Sequence, residues 1–192
     1  MTKSRLQQII ITVISLYLVA LILGLTLRIV GPPEPTPYYS TFKDLVPLIF
    51  AIPAAYLGYA FQQRNSYLGS LRALWSKLVS AVNNAIQYTY SNEPSQENFD
   101  KVITDLSIVV DEVRGVYKNI GEGPKTSGFY PYEPIKDIYD AVFELGFGKL
   151  DEVRKTSTRR KVVGHWKSIR ENFLAEFDRA EPTKVVSPYA EE

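Results

Sequence analysis

The chain has 192 residues, 45% of them apolar, and its 22 basic and 21 acidic side chains leave a formal net charge of +1. A near-neutral total excludes a strong global field, so attraction for an anion has to come from local clustering. There is no cysteine, which excludes a disulfide framework and a thiol nucleophile.

Two apolar runs lead the chain, residues 6–30 and 45–61, with the proline-rich GPPEPTP between them. At about 1.5 Å per residue the first run forms a helix of roughly 37 Å, long enough to cross a bilayer with some tilt. A signal peptide fits less well, because its apolar core is only about 7–15 residues long and ends at a small-residue cleavage site. GLTLRIVGPP offers no Ala-x-Ala pattern. The second run lies near the lower length limit for a span and contains Pro47 and Pro53. A buried soluble helix is its alternative reading, but the short connection to the first run favours a transmembrane hairpin. Lys3 and Arg5 precede the first span and Arg64, Arg72 and Lys77 follow the second, while the connecting side has only Arg28 and Lys43. That asymmetry predicts both termini in the cytoplasm. Tyr38, Tyr39 and Phe42 read as loop residues of an outer aromatic belt.

Residues 63–180 are expected to form a cytoplasmic helical-bundle domain, and residues 181–192 a flexible tail. Leu68, Leu71, Trp75, Leu78, Val82 and Ala85 recur at spacings of three and four, the seam of a helix that packs on other helices. The second span is predicted to run on into this helix and to end near Tyr90. Ser95 then caps a helix whose apolar face runs through Val102, Leu106, Val109 and Val113 and stops at Gly121. Asp111 and Arg114 on its other face are spaced to pair. GEGPKTSGFYPYEP reads as a loop, Pro134 opens a short helix that ends before Gly146, and a last helix begins near Ser157 or Thr158 and continues through Phe177. No strand pattern is present, so the fold class is all-α.

Chemistry-bearing motifs are sparse. Walker, Rossmann, zinc and EF-hand patterns are missing, and a serine-based site would depend on the single histidine, His165. Neither an enzyme nor a resident cofactor or metal is predicted. The one local charge anomaly is Arg154, Lys155, Arg159, Arg160 and Lys161, followed by Lys167 and Arg170, with Trp166 between them. Such a cluster suits phosphates held by charge-assisted bonds with an aromatic ring stacked on a base. A solvated basic turn or a contact with the inner leaflet is the alternative. Lys125, Phe129, Tyr130 and Tyr132 of the loop are further candidates for the same pocket. In the second span, Ala51, Ala55 and Gly58 form a small-residue stripe suited to close helix association in lipid. Two spans per subunit cannot enclose an aqueous path, so a channel requires a homo-oligomer. Tyr56, Tyr59 and Gln62 are the candidate residues of its wall or packing surface.

The layout of a two-span hairpin leading into AYLGYAFQQRNSYLGSLRALWSKLVSAVNNAIQYTY, then LSIVVDEVRGVYKNIGEG, GFYPYEPIKDIYDAV and HWKSIRENFLAEFDR, resembles small two-transmembrane bacterial effectors of antiphage defence, of the Hailong type. In that family a partner nucleotidyltransferase makes short deoxyadenylate oligomers that control a multimeric membrane channel. The resemblance implies a homo-oligomeric ion channel in the bacterial inner membrane, gated by a nucleotide or oligodeoxyadenylate on the cytoplasmic domain, that depolarises an infected cell. Gating would act by population shift along the long second helix, with Pro53 and Gly58 as pivots. The competing reading is a membrane-anchored adaptor for a partner protein.

Overall fold

The computed structural model describes residues 1–30, 37–117, 123–125 and 133–177. Among them are five helices and no strand: α1 (Lys3–Ile29), α2 (Pro37–Tyr88), α3 (Gln96–Val116), α4 (Glu133–Leu145) and α5 (Glu152–Glu176). The fold is all-α, and α1 and α2 are long and apolar enough to cross a membrane. The chain divides into two compact units, Met1–Tyr67 and the residues from Leu68 onward, and α2 contributes to each.

In the first unit, α1 is apolar around its whole circumference. Ile11, Ile14, Leu18, Ile22 and Leu25 are exposed, and only Val13 and Ala20 are buried. Its threonines need no outside partner: the Thr12 and Thr26 hydroxyls donate to the carbonyls of Gln8 and Ile22 one turn back, at 2.9 and 2.8 Å. The Tyr17 ring stacks on Phe50 with centroids 4.7 Å apart, and its hydroxyl donates to the Phe50 carbonyl at 2.9 Å. Gly24 lets α2 come close, since a Cβ there would lie 2.7 Å from Cε1 of Phe42. Arg64 is buried; its Nη1 donates to the Met1 carbonyl at 3.1 Å and its guanidinium lies 5.7 Å from the centre of the Tyr67 ring.

α2 begins earlier than the apolar run does. Pro37 opens it, so Tyr38, Tyr39 and Phe42 belong to its first turns and not to a loop. A proline at a helix start loses no hydrogen bond, and the Lys43–Asp44 pair that precedes the apolar run lies inside the helix. Neither Pro47, Pro53 nor Gly69 divides α2, which reaches Tyr88.

The second unit is built on the last part of α2 with α3, α4 and α5. Leu71, Leu74, Leu78 and Ile86 of α2 are almost fully buried with Leu106, Ile138, Ile169 and Phe173, each side chain contributing about 1.5–3 kcal/mol by removal from water. α3 is capped by Ser95, whose Oγ accepts from the Asn98 amide at 3.2 Å. It ends at Val116, and the stop placed at Gly121 lies outside the described residues. Asn84 Nδ2 donates to Asp105 Oδ2 at 3.0 Å and Lys77 pairs with Glu112, joining α2 to α3. Asp111 and Arg114 pair across a turn at 3.7 Å on an exposed face. α4 runs into Gly146 and Gly148, both with positive φ (74° and 87°), a conformation that favours glycine. The Tyr88 hydroxyl donates to the Gly146 carbonyl at 2.6 Å.

α5 starts at Glu152, one and a half turns before the expected Ser157 or Thr158. Asp151 is its N-cap, accepting from the Arg154 amide at 3.2 Å. Hydrophobic periodicity missed this start for a physical reason: the core-facing positions of the first two turns hold Lys155 and Thr158, both buried and both polar. Phe129, Tyr130, Tyr132 and the tail 181–192 lie outside the described residues.

Candidate functional site

The basic segment forms the first half of α5, and the helix distributes its charges over different faces. Arg154 Nη2 donates to the carbonyls of Glu144 at 2.8 Å and Leu145 at 3.4 Å, capping the end of α4. Lys155 is 1% exposed; its Nζ donates to the Ser91 carbonyl at 3.2 Å and Asn92 Oδ1 at 3.0 Å and pairs with Glu152 Oε1 at 2.5 Å. Arg159 donates from Nε to Thr89 Oγ1 at 3.1 Å and from Nη2 to the Thr89 carbonyl at 3.3 Å, and it covers the Tyr90 ring. These three cations therefore serve the carbonyl-rich ends of α2 and α4, where unpaired C=O groups and the helix dipole favour positive charge.

Arg160 and Lys161 point elsewhere. Both are exposed and line a shallow, open groove with Glu152, Val153, Thr156 and Ser157. Among the described residues neither makes an ion pair. Thr156 and Ser157, four and three residues before Arg160, bring two hydroxyls to the same face. The sequence reading passed over them, although the i, i+3, i+4 spacing from Arg160 marks them. Lys167 lies two turns below Arg160 on that face and is half-buried; Arg170 is half-buried on a flank. The groove can take a small anion by charge and hydrogen bonding.

Trp166 is not part of it. The helical period turns it to the opposite face, where it is 4% exposed and stacked on Trp75 with centroids 5.4 Å apart. Phe173 and Phe177 pack on Trp75 at 5.8 and 5.9 Å, completing a ring cluster in which Trp166 and Phe173 are buried and Trp75 and Phe177 half-buried. A base has no access to a ring so placed, which corrects the assignment of Trp166 as a stacking platform. His165 sits at the α4–α5 contact with Nδ1 3.6 Å from Asp137 Oδ2. Among the described residues no group of His, Asp and Glu is arranged to hold a metal ion.

In the first unit, Ala51, Ala55, Gly58, Tyr59 and Gln62 are all exposed. A Cβ added at Gly58 would meet nothing within 4 Å. Val46, Ile49, Pro53, Leu57 and Ala60 are the less exposed residues of this stretch, and Ala51, Ala55, Gly58 and Gln62 lie on the opposite side of the helix. Asp44, Leu48 and Asn65, also exposed, continue that stripe at spacings of three and four. Asp44 and Asn65 went unnoticed in the sequence because the small-residue motif is defined by bulk and not by polarity. Tyr56 departs from this stripe and lines a cleft beside α1. The Tyr59 hydroxyl accepts from Gln63 Nε2 at 2.6 Å.

No protein-family model, no curated protein and no solved structure matches this chain.

Proposed function

We propose that the chain is the subunit of an oligomeric channel in the bacterial inner membrane, with both termini cytoplasmic, controlled by a nucleotide or short oligonucleotide on the unit that begins at Leu68. The observation that carries the reading is the uncovered stripe Asp44, Leu48, Ala51, Ala55, Gly58, Gln62 and Asn65. Within the span 45–61 this stripe holds Leu48 and the small residues Ala51, Ala55 and Gly58, while the Asp44 carboxylate and the Gln62 and Asn65 amides stand just beyond its two ends, where water or another helix meets them. Small residues between those polar ends let a second copy approach closely. With two spans per subunit, several copies are needed to enclose an aqueous path, and Tyr59 and Gln62 stand at its inner mouth.

The anionic ligand is held by Arg160 and Lys161 with Thr156 and Ser157, and Lys167 extends the basic face. An oligodeoxyadenylate from a partner nucleotidyltransferase fits this chemistry, and the reading is supported by the resemblance of the chain's layout to Hailong-type antiphage effectors. Such a ligand gates only by binding the open and closed assemblies unequally, and a tenfold change in their ratio requires about 1.4 kcal/mol of difference. Purified chain in liposomes should pass ions in a manner that responds to added oligodeoxyadenylate. Liposomes that stay tight with and without the nucleotide would overturn the channel reading.

A membrane-anchored adaptor is the second reading, favoured by a separate observation. Phe143, Phe147 and Val153 of the second unit are large, apolar and exposed. Phe143 and Phe147 both pack on the Phe99 ring, and an exposed aromatic pair of this kind suits a partner protein; tight liposomes combined with a stable protein complex would select this reading.

A further inference from the structure

A cleft of about 440 Å³ lies within the first unit, between the N-terminal half of α1 and α2 beside Pro53. Its volume falls in the range of about 300–1,000 Å³ typical of small-ligand sites. The α1 wall is polar at one end and mostly apolar along the rest. Arg5 and Gln8 stand at the N-terminal end, followed by Ile9, Thr12, Val13 and Leu16, and the Thr12 hydroxyl already donates to the Gln8 carbonyl of its own helix. Arg5 is exposed and makes no ion pair among the described residues. Across the cleft, α2 supplies Ile52, Pro53 and the Tyr56 ring with its hydroxyl.

Length decides between candidate occupants. From Arg5 to Leu16 the cleft follows α1 for about 16 Å at about 1.5 Å per residue, which matches one leaflet of a hydrocarbon core about 30 Å thick. A cation and an amide at the headgroup level, above a leaflet's depth of apolar wall, complement a phosphodiester above an acyl chain. We propose that this cleft is a binding site for one anionic phospholipid of the cytoplasmic leaflet, its phosphate on Arg5 and Gln8, and one acyl chain along Ile9, Val13 and Leu16. Tyr56 donates its hydroxyl to the ester region. The proposal rests on the reading that α1 and α2 cross the bilayer. It adds a regulatory handle, since a lipid wedged beside Pro53 biases the packing of the two spans.

Native mass spectrometry of the full chain in mild detergent, with equimolar phosphatidylglycerol and phosphatidylcholine of identical chains, tests it. One phosphatidylglycerol per copy should be retained about tenfold over phosphatidylcholine, from a charge contact worth about fivefold and an added hydrogen bond. Arg5→Gln, an exposed change that leaves the helix intact, should reduce the preference to about twofold or less. Lys3→Gln removes the same charge outside the cleft and should keep most of it. Val13→Trp, which fills the apolar part, should lose retention of both lipids. Equal retention of the two lipids by the unaltered chain would overturn the site, and so would equal losses in Arg5→Gln and Lys3→Gln, the mark of general surface attraction. Vesicle flotation after a carbonate wash separates the two levels of failure. A chain that does not float removes the membrane reading and this site with it, whereas one that floats without lipid preference removes the site alone.

Discussion

The guanidinium carbon of Arg159 lies 3.6 Å from the centre of the Tyr90 ring while its nitrogens donate to Thr89. One side chain thus closes the end of a helix of 52 residues by charge, hydrogen bond and ring contact together. Arg159→Ala should destabilise the chain by about 2–3 kcal/mol, combining a lost charged hydrogen bond with a cation–π contact. Arg159→Lys should recover only part, because an ammonium cannot lie flat on a ring and bond in the ring's plane together. Thermal unfolding in detergent, followed by helical circular dichroism, gives both values.

Lys155 makes a sharper case, being buried with its charge shared between Glu152 and the Ser91–Asn92 turn. Lys155→Met keeps the stem and removes the donor, so the Ser91 carbonyl and the Asn92 amide oxygen lose their partner. A loss of about 1–3 kcal/mol is expected. An unchanged unfolding temperature would show that water replaces the ammonium at no cost.

The two tryptophans are the only ones in the chain and stack on each other, so intrinsic fluorescence reports the core of the second unit. Trp166→Ala should cost about 3–5 kcal/mol through cavity formation. Saturating oligodeoxyadenylate should leave the emission of the unaltered protein unquenched. Strong quenching would mean that a base reaches the Trp75–Trp166 pair.

Burial pushes the Tyr88 hydroxyl up to about 12 from its usual 10. The folded chain then holds this proton at pH values where the unfolded chain has released it, so the unfolded state binds fewer protons. Stability contributed by the neutral phenol is complete below pH 10 and is lost as pH rises from about 10 to 12. Tyr88→Phe should flatten that part of the stability profile, at the expense of the bond to the Gly146 carbonyl. Urea unfolding between pH 9 and pH 12 compares the two slopes.

Introduced cysteines are unique in a chain that has none. Single cysteines at Ala51, Ala55, Gly58 and Gln62 should form dimers on oxidation in membranes, and one at Leu57, on the opposite side of α2, should not. Dimers formed equally from both faces would remove the assigned packing surface.

The double change of Arg160 and Lys161 to Glu should abolish retention of labelled oligodeoxyadenylate with little change in unfolding temperature, because neither residue caps a helix. Binding by the unaltered chain should weaken with salt, with a logarithmic slope of about −0.7 per phosphate neutralised on a single strand. Retention by the double variant would move the ligand to another surface.

The sequence by itself determined the helical class, the two long apolar segments and the core seam of α2. Those properties follow from composition and period along one element: Leu71, Leu78 and Val82 recur as a helix requires, and burial puts them inside. The sequence also carried Ser95 and Pro134, whose local chemistry starts helices. Tertiary structure alone decided what the basic cluster does. Arg154, Lys155, Arg159 and Arg160 are close neighbours in one run, yet a rotation of about 100° per residue sends three to the ends of other helices and leaves Arg160 in solvent. It also decided that Trp166 belongs to the core and that Tyr56 leaves the α2 stripe for a cleft beside α1. A partner supplied by a distant segment, such as the Ser91 carbonyl for Lys155, leaves no periodic trace in the residues around it.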